Sequence, residues 1–168
     1  AWRYLLLSSL SVAAVQACSR AEIAPSFAAS SLLEASAVQS IANLSCNSTT
    51  REAVFKEGGV DILLDMCKTG DKRILRNSMA ALANLTSEFA VQQCLLEKNA
   101  TESLVTVCIS TKDSKTLACA TKALANLVGH KACRSAIVKC GGLSPLARLA
   151  APPDFLDGPG RLTRSLLL

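Results

Sequence analysis

At 168 residues and 50% hydrophobic, the chain is long enough for one domain with a substantial core. Only 4% of its residues are aromatic while Ala, Ser and Cys abound, which favours closely packed helices over a sheet. The net charge of +5 resides in residues 101–168, with nine basic side chains against four acidic, yet only one aromatic, Phe155, stands among them, so a nucleic-acid platform is disfavoured.

Eight cysteines include no Cys-x-x-Cys pair and accompany a single histidine, His130, so no zinc ligand set is recognisable. Cys67 and Cys108 fall inside apolar stretches, as buried small hydrophobes do. The thiols read as reduced, which places the protein in a reducing intracellular compartment. The cytoplasm is expected, with a mitochondrion or another organelle as the alternative.

In chain order, Leu5 to Ala17 is apolar, preceded by Arg3, and no acidic residue comes before Glu22. This stretch is too short to span a bilayer, and no transmembrane segment is expected. Residues 1–29 read as a degenerate capping repeat, with Val12 to Arg20 and Ile23 to Phe27 as its helices, or as the remnant of a targeting segment. A long helix then carries Val38, Ile41 and Leu44 on one stripe.

Thr50 to Glu57 reads as a short helix stopped at Gly58-Gly59, a pair suited to a left-handed turn. Val60 to Cys67 is the next, closed by Thr69-Gly70. From Asp71 to Glu88 a longer helix sets Leu75, Met79, Leu82 and Leu85 on one stripe. The plan then recurs as Ala90–Lys98, a junction at Asn99-Ala100, Thr101–Ser110, and a long helix with Leu117, Thr121, Leu124 and Leu127. Asn99 suits a junction because asparagine also tolerates positive φ. A last pair, Ala132–Cys140 and Leu143–Leu149, meets at Gly141-Gly142. Pro152-Pro153 and Asp157-Gly158-Pro159-Gly160 make residues 151–168 a Pro/Gly-rich tail, with no β-sheet expected anywhere.

Each long helix ends in the same phrase: Ile41-Ala42-Asn43-Leu44, Leu82-Ala83-Asn84-Leu85 and Leu124-Ala125-Asn126-Leu127. Self-similarity near forty residues is the mark of a helical solenoid, whose stacked units share one core. Ile41, Leu44, Leu82, Leu85, Leu124 and Leu127 are its expected buried positions. The order of short helix, glycine stop, second helix and long third helix ending in an apolar-x-Asn-apolar phrase resembles the armadillo repeat family. The resemblance covers about residues 30–150 and implies an all-α, right-handed superhelix of about three to four repeats.

By that resemblance, Asn43, Asn84 and Asn126 line the concave face, where the family uses this amide against the main chain of an extended partner. A carboxamide offers donor and acceptor together, which suits a peptide unit whatever its side chain. Their neighbours there are Gln39, Asn77, Ala80, Ser87 and Lys122. Nuclear-import members carry tryptophan four residues before the asparagine, where this chain has Gln39, Ala80 and Lys122. The implied groove is small, mostly neutral and free of carboxylates, so a basic localisation signal is not its ligand.

No Ser-His-Asp arrangement, phosphate-binding glycine loop or catalytic carboxylate pair is legible, so neither catalysis, a cofactor nor a small-molecule substrate is expected. The sequons at Asn43 and Asn84 coincide with the repeat phrase on packed helices and carry no glycan in this reading. The expected function is a non-enzymatic scaffold mediating protein–protein interaction, as an accessory or structural subunit of a larger complex. One alternative is a peptide-binding adaptor using the asparagine ladder. Another is nucleic-acid contact through the basic C-terminal third.

Overall fold

The computed structural model describes residues 27–150, the strand residues 156–157 and 161–162, and two isolated helical positions, Ala13 and Gln16. The helices expected at Val12–Arg20 and Ile23–Phe27 thus lie almost wholly outside the described residues, as does most of the tail. The described residues form nine helices: α1 (Phe27–Leu44), α2 (Ser48–Lys56), α3 (Gly59–Met66), α4 (Lys72–Leu85), α5 (Phe89–Glu97), α6 (Thr101–Ser110), α7 (Ser114–Val128), α8 (Lys131–Lys139) and α9 (Leu143–Ala150). Two three-helix units, α2–α4 and α5–α7, are complete; α1 precedes them as a third-type helix, and α8 and α9 follow as a first and a second. The long helices α1, α4 and α7 pack side by side with α4 in the middle.

The tail departs from expectation. Read as a loop, it holds a two-residue antiparallel ladder, β1 (Leu156–Asp157) with β2 (Arg161–Leu162). The intervening sequence Gly158-Pro159-Gly160 supplies turn-forming residues between the two strands.

Helix boundaries follow from capping chemistry. Asn47, in extended conformation, accepts the Thr49 N–H, so α2 starts ahead of the expected Thr50. Asp71 caps α4 through the N–H groups of Arg73 and Ile74, and Asp113 caps α7 through that of Thr116. Between the first and second helices of each unit the chain turns at Gly58 (φ 76°), Asn99 (φ 52°) and Gly141 (φ 76°), as the junction sequences imply. The glycine after each glycine turn has a different task. A Cβ at Gly59 would lie 2.6 Å from Val54 Cγ1 and 2.8 Å from its carbonyl oxygen, so glycine lets α3 close on α2.

The core runs through all the described units. Ile41, Leu82, Leu85, Leu124 and Leu127 are fully buried, joined by Val38, Leu63, Ile74, Met79, Leu95, Leu104 and Ile137. Leu44 is a correction: expected buried, it is only partly covered. It sits on the outer member of the long-helix layer, with no described third-type helix beyond it. Cys108 is buried as expected, whereas Cys67 is only partly so and rests on Met79, Sγ to Sδ 3.6 Å. Burial pushes the Cys67 thiol up to about 12 and the Cys108 thiol up to about 11, so both stay protonated. The seven described cysteines are free.

Ion pairs join neighbouring units at a constant interval. Arg51 bonds Glu88 at 2.7 Å, and Arg76 grips Asp113 with two contacts of 2.8 and 3.1 Å, each pair 37 residues apart. Lys98 reaches Asp61 at 2.7 Å with the same spacing. Pairs so near the surface contribute little energy, but they recur in one register.

The guanidinium of Arg76 holds the Asp113 carboxyl well below the usual carboxylate range, helped by the Thr116 hydroxyl and backbone N–H. Its stabilisation is therefore complete above the ordinary carboxylate value of about 4 and is lost as acid drives the pH down toward the lowered value. Arg76→Ala should move the NMR-detected titration of Asp113 back toward the ordinary value and flatten the acid limb of the stability profile. An unchanged titration would show that the cap bonds to Thr116 suffice without the guanidinium.

Candidate functional site

The third-type helices end where the repeat phrase places them, and each leaves a row of side chains on one face of the α1–α4–α7 layer. On α1, Gln39 and Asn43 are exposed; Asn43 makes no side-chain hydrogen bond among the described residues. On α4, Asn77, Ala80 and Asn84 are half-buried, and Ser87, exposed beyond the helix end, donates to the Asn84 carbonyl at 2.7 Å. On α7, Lys122 is exposed and Asn126 half-buried.

Polar contacts run across the layer. Lys122 Nζ donates to Asn84 Oδ1 at 3.1 Å, and Asn84 Nδ2 points at the Cys46 thiol at 3.6 Å, a long and weak contact. Cys46, exposed after the end of α1, thereby joins Asn84 and Lys122. These three residues bridge three successive long helices. No carboxylate stands among them.

Asn126 behaves otherwise. Its Nδ2 donates to the carbonyl of Ala83 and to Thr86 Oγ1, both at 3.1 Å, so its amide is committed to the junction of α4 and α7. One unit earlier the equivalents of Ala83 and Thr86 are engaged differently: the Cys46 thiol points at the Ala42 carbonyl at 3.6 Å and the Ser45 hydroxyl donates to that of Ile41 at 2.7 Å. Asn84 points at Cys46 instead. Gln39, Asn77 and Ala80 share the face and, among the described residues, make no side-chain hydrogen bond with the other site residues.

A second row had no counterpart in the sequence reading. Arg51, Gln92 and Arg134, 41 and 42 residues apart, each lie in the first helix of a unit. Arg51 Nη1 donates to the carbonyls of Ser45 (3.3 Å) and Cys46 (3.4 Å), Gln92 Nε2 to Thr86 (2.8 Å) and Asn126 (3.4 Å), and Arg134 Nη1 to Val128 (2.9 Å) and Gly129 (3.4 Å). The carbonyls of Ser45, Cys46, Thr86, Val128 and Gly129 lie at the end of the preceding third-type helix, where amide partners run out, and the arginines also oppose its negative dipole end; the Asn126 carbonyl reached by Gln92 belongs instead to the following α7. The common spacing of long donors after each repeat phrase was the available signal.

Among the described residues no group of His, Cys, Asp and Glu could hold a metal ion, and no helix is long and apolar enough to cross a membrane. The basic side chains of the last third, among them Lys112, Lys115, Lys131, Arg134 and Lys139, are exposed but dispersed over α6–α8 and their connections.

Residues 47–87, the α2–α4 unit with its flanking turns, match the armadillo/beta-catenin-like repeat family model. The fold is similar to a designed armadillo repeat protein in complex with the peptide (KR)4, with a TM-score of 0.72 at 19% identity, over 89% of this chain and 67% of that one. It is equally similar to computationally designed armadillo repeat proteins for modular peptide recognition (TM-score 0.72, 20% identity, 88% and 66%). The armadillo repeats only protein from Plasmodium falciparum superposes with a TM-score of 0.65 at 18% identity, over 76% and 55%. This chain thus spans between 55% and 67% of these three structures.

Proposed function

The chain carries an armadillo repeat and folds as an armadillo-type solenoid, and from that premise we propose a non-catalytic scaffold that contacts protein partners as an accessory or structural subunit of a larger assembly. The observation that carries the reading is the face of the long-helix layer. There Cys46, Asn84 and Lys122 set donors and acceptors across three stacked helices, on a surface of small residues without a carboxylate. Such a surface pairs with main chain by hydrogen bonds. The designed protein in complex with (KR)4 holds a basic peptide; here Lys122 opposes such a ligand, and a neutral or acidic segment suits the face better.

The second reading, a free-standing adaptor that captures an extended peptide, uses the same face and is favoured by the open amide of Asn43. A nucleic-acid role would need the dispersed lysines of α7 and α8 to act together without stacking aromatics. The expected setting is the cytoplasm or an organelle with reduced thiols.

A photo-crosslinking residue at Ser87, beside Asn84 on this face, tests the proposal in native extract. The expected product is a protein adduct that persists in high salt and co-migrates with a complex much larger than the chain. An adduct with a small free partner favours the adaptor. Adducts formed only from Lys131 or Lys139, and lost with salt, would overturn both.

A further inference from the structure

Between the two complete units lie two recesses that the long-helix face does not use. One, of about 480 Å³, separates the second-type helices α3 and α6. The other, of about 490 Å³, opens where α4 and α7 begin. Leu75 and Ser110 line both, so the two join as one groove. Neither Asn84 nor Lys122 borders it. Its floor is apolar, made by Leu64, Leu75 and Val107. Along one wall stand Asn99, Ser103, Thr106 and Ser110, all exposed and without a side-chain hydrogen bond among the described residues. The groove is also polarised. Lys72 and Lys112 stand at the α4–α7 end, exposed and in no ion pair among the described residues. Asp113 beside them is already gripped by Arg76. Glu102, exposed and likewise unpaired among the described residues, stands at the other end.

We propose that this groove is a second docking surface, which takes an extended segment of a protein partner with opposite charges at its two ends. An Asp or Glu of that segment meets Lys72 and Lys112, an apolar side chain rests on Leu64 and Leu75, and a Lys or Arg meets Glu102. The dimensions agree. Glu102 and Ser110 are eight residues apart on α6, about 12 Å, with Lys112 just beyond. Five residues of extended chain set their end side chains about 13 Å apart, with the first, third and fifth on one side. The wall fits an extended chain and not a helix. Ser103, Thr106 and Ser110 follow one another at about 4.5–6 Å, close to the two-residue repeat of a strand, about 6.6 Å. Hydroxyls and the Asn99 amide can pair with open main-chain groups, which a helix would already have satisfied within itself. A polyanion is the wrong occupant, because Glu102 and Asp113 both border the groove.

A random heptapeptide library displayed on phage and selected on the full chain tests this. Enriched sequences should carry opposite charges four residues apart around an apolar residue, in one consistent order. NMR titration of the full chain with a synthetic peptide of that sequence should move the amides of Ser103, Thr106 and Ser110. Those of Asn43 and Lys122, on the long-helix face, should stay in place. Lys72→Glu combined with Lys112→Glu should weaken the peptide about tenfold, as the loss of two surface ion pairs implies. Adding Glu102→Lys reverses the groove, and this triple variant should select the opposite order of charges. All three side chains are exposed, so melting temperatures should match the parent. If the Lys112 change lowers it through the neighbouring Asp113 cap, Lys72→Glu with Glu102→Lys takes its place. Selected peptides without a consistent order of charges, amide shifts confined to the long-helix face, or a reversed variant that keeps the parent's order would overturn the proposal.

Discussion

Leu82→Ala should lower the unfolding free energy by about 2–5 kcal/mol, the largest loss expected from any single truncation of the repeat phrase. Leu82 is fully buried at the middle of the solenoid, on the helix that packs against both α1 and α7. Removing three side-chain carbons there forfeits transfer energy and leaves a cavity that neighbours on both sides cannot readily fill. The same truncation at Leu44, partly covered on the outer helix, should cost less than half as much, because part of its surface already meets water. Denaturant midpoints of the two variants decide the matter. Equal losses would mean that Leu44 is as deeply buried as the repeat phrase suggests.

Asn126→Ala and Asn84→Ala should separate stability from binding. The Asn126 amide serves Ala83 and Thr86 across a junction whose acceptors are buried, so its loss should destabilise the fold by about 1–2 kcal/mol. The cost stays near the lower figure because Thr86 Oγ1 also donates to Ala83 at 3.1 Å, leaving that carbonyl one partner. Asn84 holds only an exposed lysine and a distant thiol, and its truncation should change stability by under about 0.5 kcal/mol. A partner on the face should nonetheless lose about 1–3 kcal/mol of affinity if the missing amide leaves a buried peptide group unpaired. Calorimetric unfolding and titration against the captured partner provide the two readouts. The reverse pattern, with Asn84 stabilising and Asn126 binding, would remove Asn84 from the site.

These contrasts mark what the sequence could and could not convey. Periodicity located every long helix and the face its buried leucines share, because which side of a helix is covered follows from 3.6-residue spacing. The left-handed turns were legible because few residues accept positive φ, and Gly58, Asn99 and Gly141 are among them. Three identical asparagines were not three identical sites. Asn126 bonds Ala83 and Thr86, Asn84 meets Lys122 and the Cys46 thiol, and Asn43 stands exposed. Spacing, the same for all three, does not distinguish these contacts. Leu44 was misjudged for a related reason: a repeat phrase specifies the helix face, while depth depends on what stacks beyond it. The row of Arg51, Gln92 and Arg134 escaped because two arginines and a glutamine share reach, not residue type.

The constant interval of the cross-unit contacts bears on how the chain reaches this structure. Apart from the five- and six-residue bonds of Arg51, Gln92 and Arg134 to the end of the preceding helix, hydrogen bonds between units among the described residues join partners 34 to 43 positions apart, from Gln92 with Asn126 to Asn126 with Ala83. No loop that must close is therefore much longer than one period, and its entropy cost is about the same wherever folding starts. Low contact order of this kind goes with rapid folding, and nearest-neighbour coupling lets nucleation begin in either complete unit and spread outward. The α4 layer, supported on both sides, is where spreading from either direction converges and where opening should come last.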